Sequence, residues 1–180
     1  MSQAKLNRSL LAASIAVAAL TGCAALGIVS AKPDAICMVS PLSDGNARGQ
    51  VSFTQEADDV LVVVDLVNLS PGKHGIHIHQ NGDCGGTAGE AAGPHFNPGG
   101  KPHGMPGTEM SHEGDLGNVI ADARGHAHME LRDRLLTLAG GNGILGRSVV
   151  VHFQADDEVS QPAGNSGARI ACGVITAVLR

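Results

Sequence analysis

The 180-residue chain has no tryptophan and no tyrosine, and only three phenylalanines. Few rings are available for bases to stack on, and the formal net charge is −5, so both supports of nucleic-acid binding are missing and that class is set aside. Charged residues make up only 16% of the chain against 43% apolar, a balance that excludes disorder for most of its length. The core must then be built from Val, Leu, Ile and Ala instead of rings. Long hydrophobic runs are also absent. The apolar stretch Leu10 to Leu20 is about ten residues, short of the roughly 18 to 20 that a bilayer-spanning helix requires. The length fits one domain of ordinary size.

What the first 22 residues do contain is an export signal: Lys5 and Arg8, then the short apolar run, with no acidic residue. Leu20-Thr21-Gly22-Cys23 follows and looks like a bacterial lipobox, in which Cys23 becomes the lipidated first residue. An ordinary signal peptide followed by a chance cysteine is the alternative. Cleavage removes two of the 12 basic residues and leaves 10 against 17 acidic, a net charge of −7. Residues 23–34, small or polar and containing Pro33, read as a flexible tether, and residues 35–180 as the domain. The expected location is the periplasm or cell envelope, with the membrane as a partner through the anchor on Cys23.

Export permits disulfides. Of the remaining thiols, Cys37 sits in the apolar run Ala35-Ile36-Cys37-Met38-Val39 and reads as a small buried side chain. Cys84 and Cys172, each next to glycine, are paired with one another.

Short runs rich in Val and Ile predict eight strands, at 35–39, 50–54, 60–67, 75–80, 118–121, 127–131, 148–153 and 170–178. Asp44-Gly45, Ser70-Pro71-Gly72, Arg124-Gly125 and Gly140-Gly141-Asn142-Gly143 supply turns between several of them. No segment after the signal sustains a helical period. The expected fold is all-β, an eight-stranded antiparallel Greek-key barrel or sandwich. Two long loops interrupt it, 81–117 and 154–168, and loops of such length in a small domain usually carry function.

Histidines collect there. Of nine, His74, His77, His79, His95, His103, His112 and His152 lie in or beside these loops. His77 and His79, two apart on a predicted strand, share one face about 7 Å apart, and a metal can sit between them. His95, His103 and His112 punctuate the long loop, and Asp115 adds a carboxylate to make a tetrahedral zinc set. His152 ends a valine run where a strand delivers a side chain to the rim. A single zinc that merely staples the loop would use the loop ligands and leave His77, His79 and His152 idle. His126 and His128 read as an exposed strand face.

Gly75-Ile76-His77-Ile78-His79-Gln80, Gly82-Asp83-Cys84, Gly93-Pro94-His95-Phe96-Asn97-Pro98, His112-Glu113-Gly114-Asp115-Leu116-Gly117-Asn118 and Gly164 to Ile175 together resemble copper,zinc superoxide dismutase, in a bacterial lipoprotein form. The resemblance runs from about Ala35 to the C-terminus. It implies that His77, His79 and His152 bind copper, that His103, His112 and Asp115 bind zinc, and that His95 bridges the two. It implies a Cys84–Cys172 disulfide, a guiding role toward superoxide for Arg169, and a carboxylate at Asp156 that hydrogen-bonds a ligand of each metal. His74 matches a structural histidine. The implied activity is dismutation of superoxide to dioxygen and hydrogen peroxide by copper(II)/copper(I) cycling, with zinc tuning the bridging ring and His95 also carrying a proton. A homodimer is the further partner the family allows, through a surface no residue here selects. A copper carrier would use exchangeable thiols, yet the chain has no CxxC pair. An adhesion or structural sandwich would need neither Arg169 nor a redox ion. The segment from His152 to Arg169 is shorter than in animal members and contains no lysine, which predicts weaker steering of the anion.

Overall fold

The structure, a computed structural model, describes residues 32–43 and 45–179. The export segment 1–22, Cys23 and the tether up to residue 31 lie outside the described residues.

Among the described residues eight strands form: β1 (Ala35–Pro41), β2 (Arg48–Glu56), β3 (Asp59–Val67), β4 (Gly72–His79), β5 (Asp115–Ala121), β6 (Ala127–Asp133), β7 (Ser148–His152) and β8 (Arg169–Ala177). They close in the order β1-β2-β3-β6-β5-β4-β7-β8 into one antiparallel barrel, so the sandwich alternative is not the one adopted. Closure removes the exposed strand edges that an open sheet would present. In β4, β5 and β6 the chain runs through neighbouring strands, and β3 lies beside β6, the Greek-key arrangement.

All eight predicted strands are present, with shifted bounds. β5 begins at Asp115, three residues ahead of the strand expected at 118–121, so the first loop ends at Gly114. Asp115-Leu116-Gly117 lacks β-branched alternation, and it pairs because β4 imposes the register: Gly75 faces Asn118 and, after a bulge, His77 faces Asp115.

The two halves of the barrel are built differently. In β3, Val60, Val62, Val64 and Leu66 are buried while Asp65 and Val67 are exposed, the period of a strand with one wet face. In β4 and β7, buried residues are consecutive, because Ile76, Ile78, Val149 and Val151 fill the interior while the opposite face lies under the long loops. Phe53 and its aliphatic neighbours fill the centre, and truncating Phe53 to Ala costs about 3 to 5 kcal/mol by the usual cavity argument.

The Cys84–Cys172 disulfide ties the first loop to β8 across 88 residues of sequence. It packs with Leu42, Ala92 and Val150 in a small apolar cluster separate from the main core. Cys37 is free and buried, and burial pushes its thiol up to about 12, so it is an inert part of the core.

Candidate metal centre

β4 carries His77 and His79 on the face turned away from the barrel interior, with ring centroids 6.4 Å apart. β7 pairs with β4 and, past a bulge at its end, delivers His152 to the same face, 5.0 Å from His77 and 5.7 Å from His79 between centroids. The first loop returns alongside β4: Phe96 N–H donates to Ile78 O at 2.8 Å, Ile78 N–H to Gly114 O at 2.8 Å, and His79 and His95 form an isolated bridge. That return stacks His95 on His77 at 3.9 Å and places it 5.0 Å from His79. The result is a group of four buried imidazoles, His77, His79, His95 and His152, each offering a nitrogen within 4.8 Å of the others.

A second group, His95, His103, His112 and Asp115, meets the same criterion and shares His95 with the first. Asp115 Oδ1 lies 2.8 Å from His95 Nδ1, 3.0 Å from His103 Nδ1 and 3.2 Å from His112 Nδ1. His112 Nδ1 and His95 Nδ1 are 3.5 Å apart. Bonds of about 2.0 to 2.1 Å in a tetrahedron put donors about 3.3 Å from one another, which is the spacing found here. Asp115 Oδ2 is taken by the backbone N–H groups of Gly104 at 3.1 Å and His112 at 3.0 Å, which leaves Oδ1 for the cluster.

The outer nitrogens fix the inner ones. His79 Nδ1 donates to Gly93 O at 2.8 Å and His152 Nδ1 to Gly167 O at 3.2 Å. Asp156 takes His77 Nε2 on one oxygen at 2.8 Å and His103 Nε2 on the other at 2.9 Å, linking the two groups through one carboxylate. His77 Nδ1, His79 Nε2, His95 Nε2, His103 Nδ1 and His152 Nε2 are then buried with no hydrogen-bond partner. His103 Nδ1 approaches Asp115 closely without hydrogen-bond direction, as two ligands of one ion do. Buried polar atoms are rarely left unpaired, and five in one place mark a site that could hold metal.

Electrostatics favour free lone pairs. Burial, then the neighbouring rings, holds His77 well below its ordinary value; burial brings His79 to about 2 and His152 to about 4. Burial also opposes ionisation of Asp115, but hydrogen bonds from His95 and Gly104, with the charge of the adjacent rings, reverse it and hold the carboxyl at about 2. At His103 burial acts downward, and the carboxylates of Asp156 and Asp115 outweigh it and raise the ring. His77, His79 and His152 are therefore neutral near pH 7, and the second group holds the carboxylate of Asp115.

Arg169 opens β8 opposite His152. Its Nη1 donates to Gly89 O at 2.6 Å and its Nη2 to Gly93 O at 2.7 Å, so the guanidinium is held by the disulfide-bearing loop. An open cleft of about 170 Å³ reaches His152 between Gln161, Pro162, Ala163, Asn165, Ser166 and Gly167.

Every expected ligand thus falls in one group or both. His74 belongs to neither: it is buried, with Nδ1 2.9 Å from His152 O and Nε2 2.8 Å from Ser70 O. His126 and His128 are exposed, and His128 pairs with Asp65 at 2.7 Å. Three contributors were not singled out by the sequence reading. Asn118 clasps the backbone of Asp156, accepting its N–H at 2.7 Å and donating to its carbonyl at 3.0 Å. Gln161 treats His103 in the same way. Gly164 has φ 62°, and a Cβ there would overlap Asp156 Oδ1 and stand 2.6 Å from His103 Nε2. For Gln161 and Gly164 the clustering of Gly, Asn and Gln in the second loop was the available signal, and it names no partner; Asn118, on β5, carried none.

A closed β-barrel with two buried ligating groups that share one imidazole defines a dinuclear, histidine-rich metalloprotein. The sequence matches the copper/zinc superoxide dismutase family over residues 47–175, and the chain belongs to that family. It is an enzyme that dismutes superoxide with copper and zinc as cofactors. The extracellular copper-zinc superoxide dismutase of Brugia pahangi is 43% identical over 141 residues, 73% of this chain and 70% of that protein. The crystal structure of the clock protein EA4 is similar with a TM-score of 0.73 at 40% identity, covering 81% of this chain and 96% of that one.

Proposed function

We propose that His77, His79, His95 and His152 hold copper, that His95, His103, His112 and Asp115 hold zinc, and that Arg169 guides the anion. The observation that carries this is the set of five buried, unpartnered ring nitrogens turned toward two adjacent points. Copper supplies the one-electron exchange with superoxide, and zinc a fixed positive charge that does not change oxidation state.

The side chains do the rest. Imidazoles alone make up the first group, and imidazole suits both copper oxidation states. His95 belongs to both ligand groups, with Nδ1 2.8 Å from Asp115 Oδ1 and Nε2 buried without a partner, so it would serve both ions, and Nε2 would be the atom that takes and returns a proton. Asp156 keeps His77 and His103 in the tautomers that leave Nδ1 free. Arg169 offers positive charge beside the cleft, which a chain of net negative charge needs if it is to attract an anion. The segment between His152 and Arg169 carries Asp156, Asp157 and Glu158 and no lysine, so attraction falls on few groups.

Export and lipid anchoring through Cys23, with residues 1–22 as signal, 23–34 as tether and 35–180 as catalytic domain, belong to the same proposal, supported by the lipobox and by a disulfide suited to an oxidising compartment. The test is elemental analysis of the purified protein beside an assay of superoxide consumption with and without added copper. One copper and one zinc per chain, with activity that follows copper, is the expected result; His77→Ala should abolish copper uptake and His103→Ala should lower zinc uptake.

A further inference from the structure

Gln161, in the loop between β7 and β8, grips the backbone of His103 with both ends of its amide. Its Oε1 accepts the His103 N–H at 2.8 Å and its Nε2 donates to the His103 carbonyl at 2.8 Å. The same Nε2 donates to Val159 O at 3.0 Å, which braces the amide against its own loop. An amide is the side-chain group that gives and accepts at once, and the length of Gln lets it span a residue's N–H and C=O.

His103 needs such a grip more than its companions do. Asp115 sits on β5, His95 is fixed by the bridge to His79, and His112, though on no strand, has its N–H bound to Asp115 Oδ2 at 3.0 Å; His103 lies on no strand either, in the run between Asn97 and Asp115, and its own N–H makes no such bond to a strand residue. Its bond from Nε2 to Asp156 holds one ring atom, and a ring held at a single atom still pivots. With the backbone of His103 located by Gln161, and Gly104 N–H bound to Asp115 Oδ2, the pivot is removed and Nδ1 stays 3.0 Å from Asp115 Oδ1. Outer groups of this kind commonly set the affinity of a metal site.

We propose that Gln161 is a positioning residue for zinc, making retention of the ion depend on the loop that also frames the copper cleft; the inference rests on the assignment of zinc to His95, His103, His112 and Asp115. The second loop then acts on both metals, through Asp156 on the rings and through Gln161 on the backbone of one ligand.

The experiment uses the metal-loaded full chain. Zinc release to an excess of chelator is timed, and the visible spectrum of cobalt(II) placed in the zinc position is recorded, for the unaltered protein, Gln161→Met, Gln161→Glu and Asn165→Ala. Gln161→Met keeps length without hydrogen bonds and should speed zinc release about ten-fold and alter the cobalt bands. Gln161→Glu keeps the acceptor alone and should fall between. Asn165→Ala loosens the same loop at Asp157 and Ser160 without touching His103, and should release zinc within about two-fold of the unaltered rate. Unaltered release and spectrum in Gln161→Met overturn the proposal, and so does equal release from Asn165→Ala, which would make general loop order the cause. Failure of the unaltered protein to take up zinc, or uptake unaffected by His103→Ala, overturns the zinc assignment itself and this inference with it.

Discussion

Arg169 and His79 donate to the same atom, the carbonyl oxygen of Gly93, at 2.7 and 2.8 Å. One backbone group thereby sets the spacing between the Arg169 guanidinium and a ring of the first ligand group. Gly93 belongs to the loop that Cys84 ties to β8, so the disulfide, the guanidinium and the ring form one connected unit.

Replacing Arg169 by Ala removes the charge without removing a ligand. The second-order rate of superoxide decay, followed after a radiolysis pulse, is expected to fall about ten-fold or more, with its dependence on ionic strength flattened. Elemental analysis should find both metals retained. Loss of copper in this variant would make Arg169 a support of the ligand group instead of a guide for substrate.

Breaking the tie is expected to act twice. Cys172→Ser should lower stability by about 2 to 5 kcal/mol, read from denaturant unfolding. It should also reduce the rate constant per bound copper, because Gly89 and Gly93, the acceptors of Arg169, lie in the released loop. A normal rate per copper in the destabilised variant would separate the disulfide from Arg169.

Gly164→Ala places a methyl group on the Asp156–His103 contact and forces a left-handed backbone angle on a residue with a Cβ. The expected outcome is zinc affinity about 10- to 100-fold weaker, measured by competition with a chelator. Gly100, also at positive φ but with open space around it, is the comparison site: Gly100→Ala should bind zinc as the parent does.

The metal-free protein should lose stability in acid. His79 at about 2 and His152 at about 4, with His77 also lowered, exclude protons that the unfolded chain binds near its ordinary histidine value of about 6.5. Their contribution is complete above that value and is lost as pH falls from it toward 4. The slope is on the order of 1.4 kcal/mol per pH unit for each proton excluded. His103, raised by its carboxylates, acts the opposite way: its contribution is present below about 6.5 and is lost as pH rises through the folded value. Burial lowers His112 as well, so four lowered rings against one raised ring give a net fall, and the unfolding midpoint of metal-free protein between pH 7 and 4 checks it.

Much of this molecule could be read in advance because two of its signals are local. Runs such as Val60 to Val67 can bury one face only as strands, and His77-Ile78-His79 on a strand has to present both rings together. Asp115 shows where local reading stops. Nothing around it marks a strand, and its place in β5 comes from hydrogen bonds made by β4, a partner 38 residues away in sequence. Asp156 carried a role only through likeness to a family, since a carboxylate in a loop has no periodicity to betray what it faces.

Composition and pattern by themselves determined an aromatic-poor all-β domain, the set of imidazoles and the one carboxylate able to ligate, because side-chain chemistry and strand period are properties of neighbouring residues. The tertiary structure decided which nitrogen of each ring is left free, which carbonyls hold Arg169, and that Asn118, Gln161 and Gly164 complete the site. Those choices are made by groups that meet only when two long loops fold onto β4, β7 and β8, and no spacing along the chain encodes such a meeting.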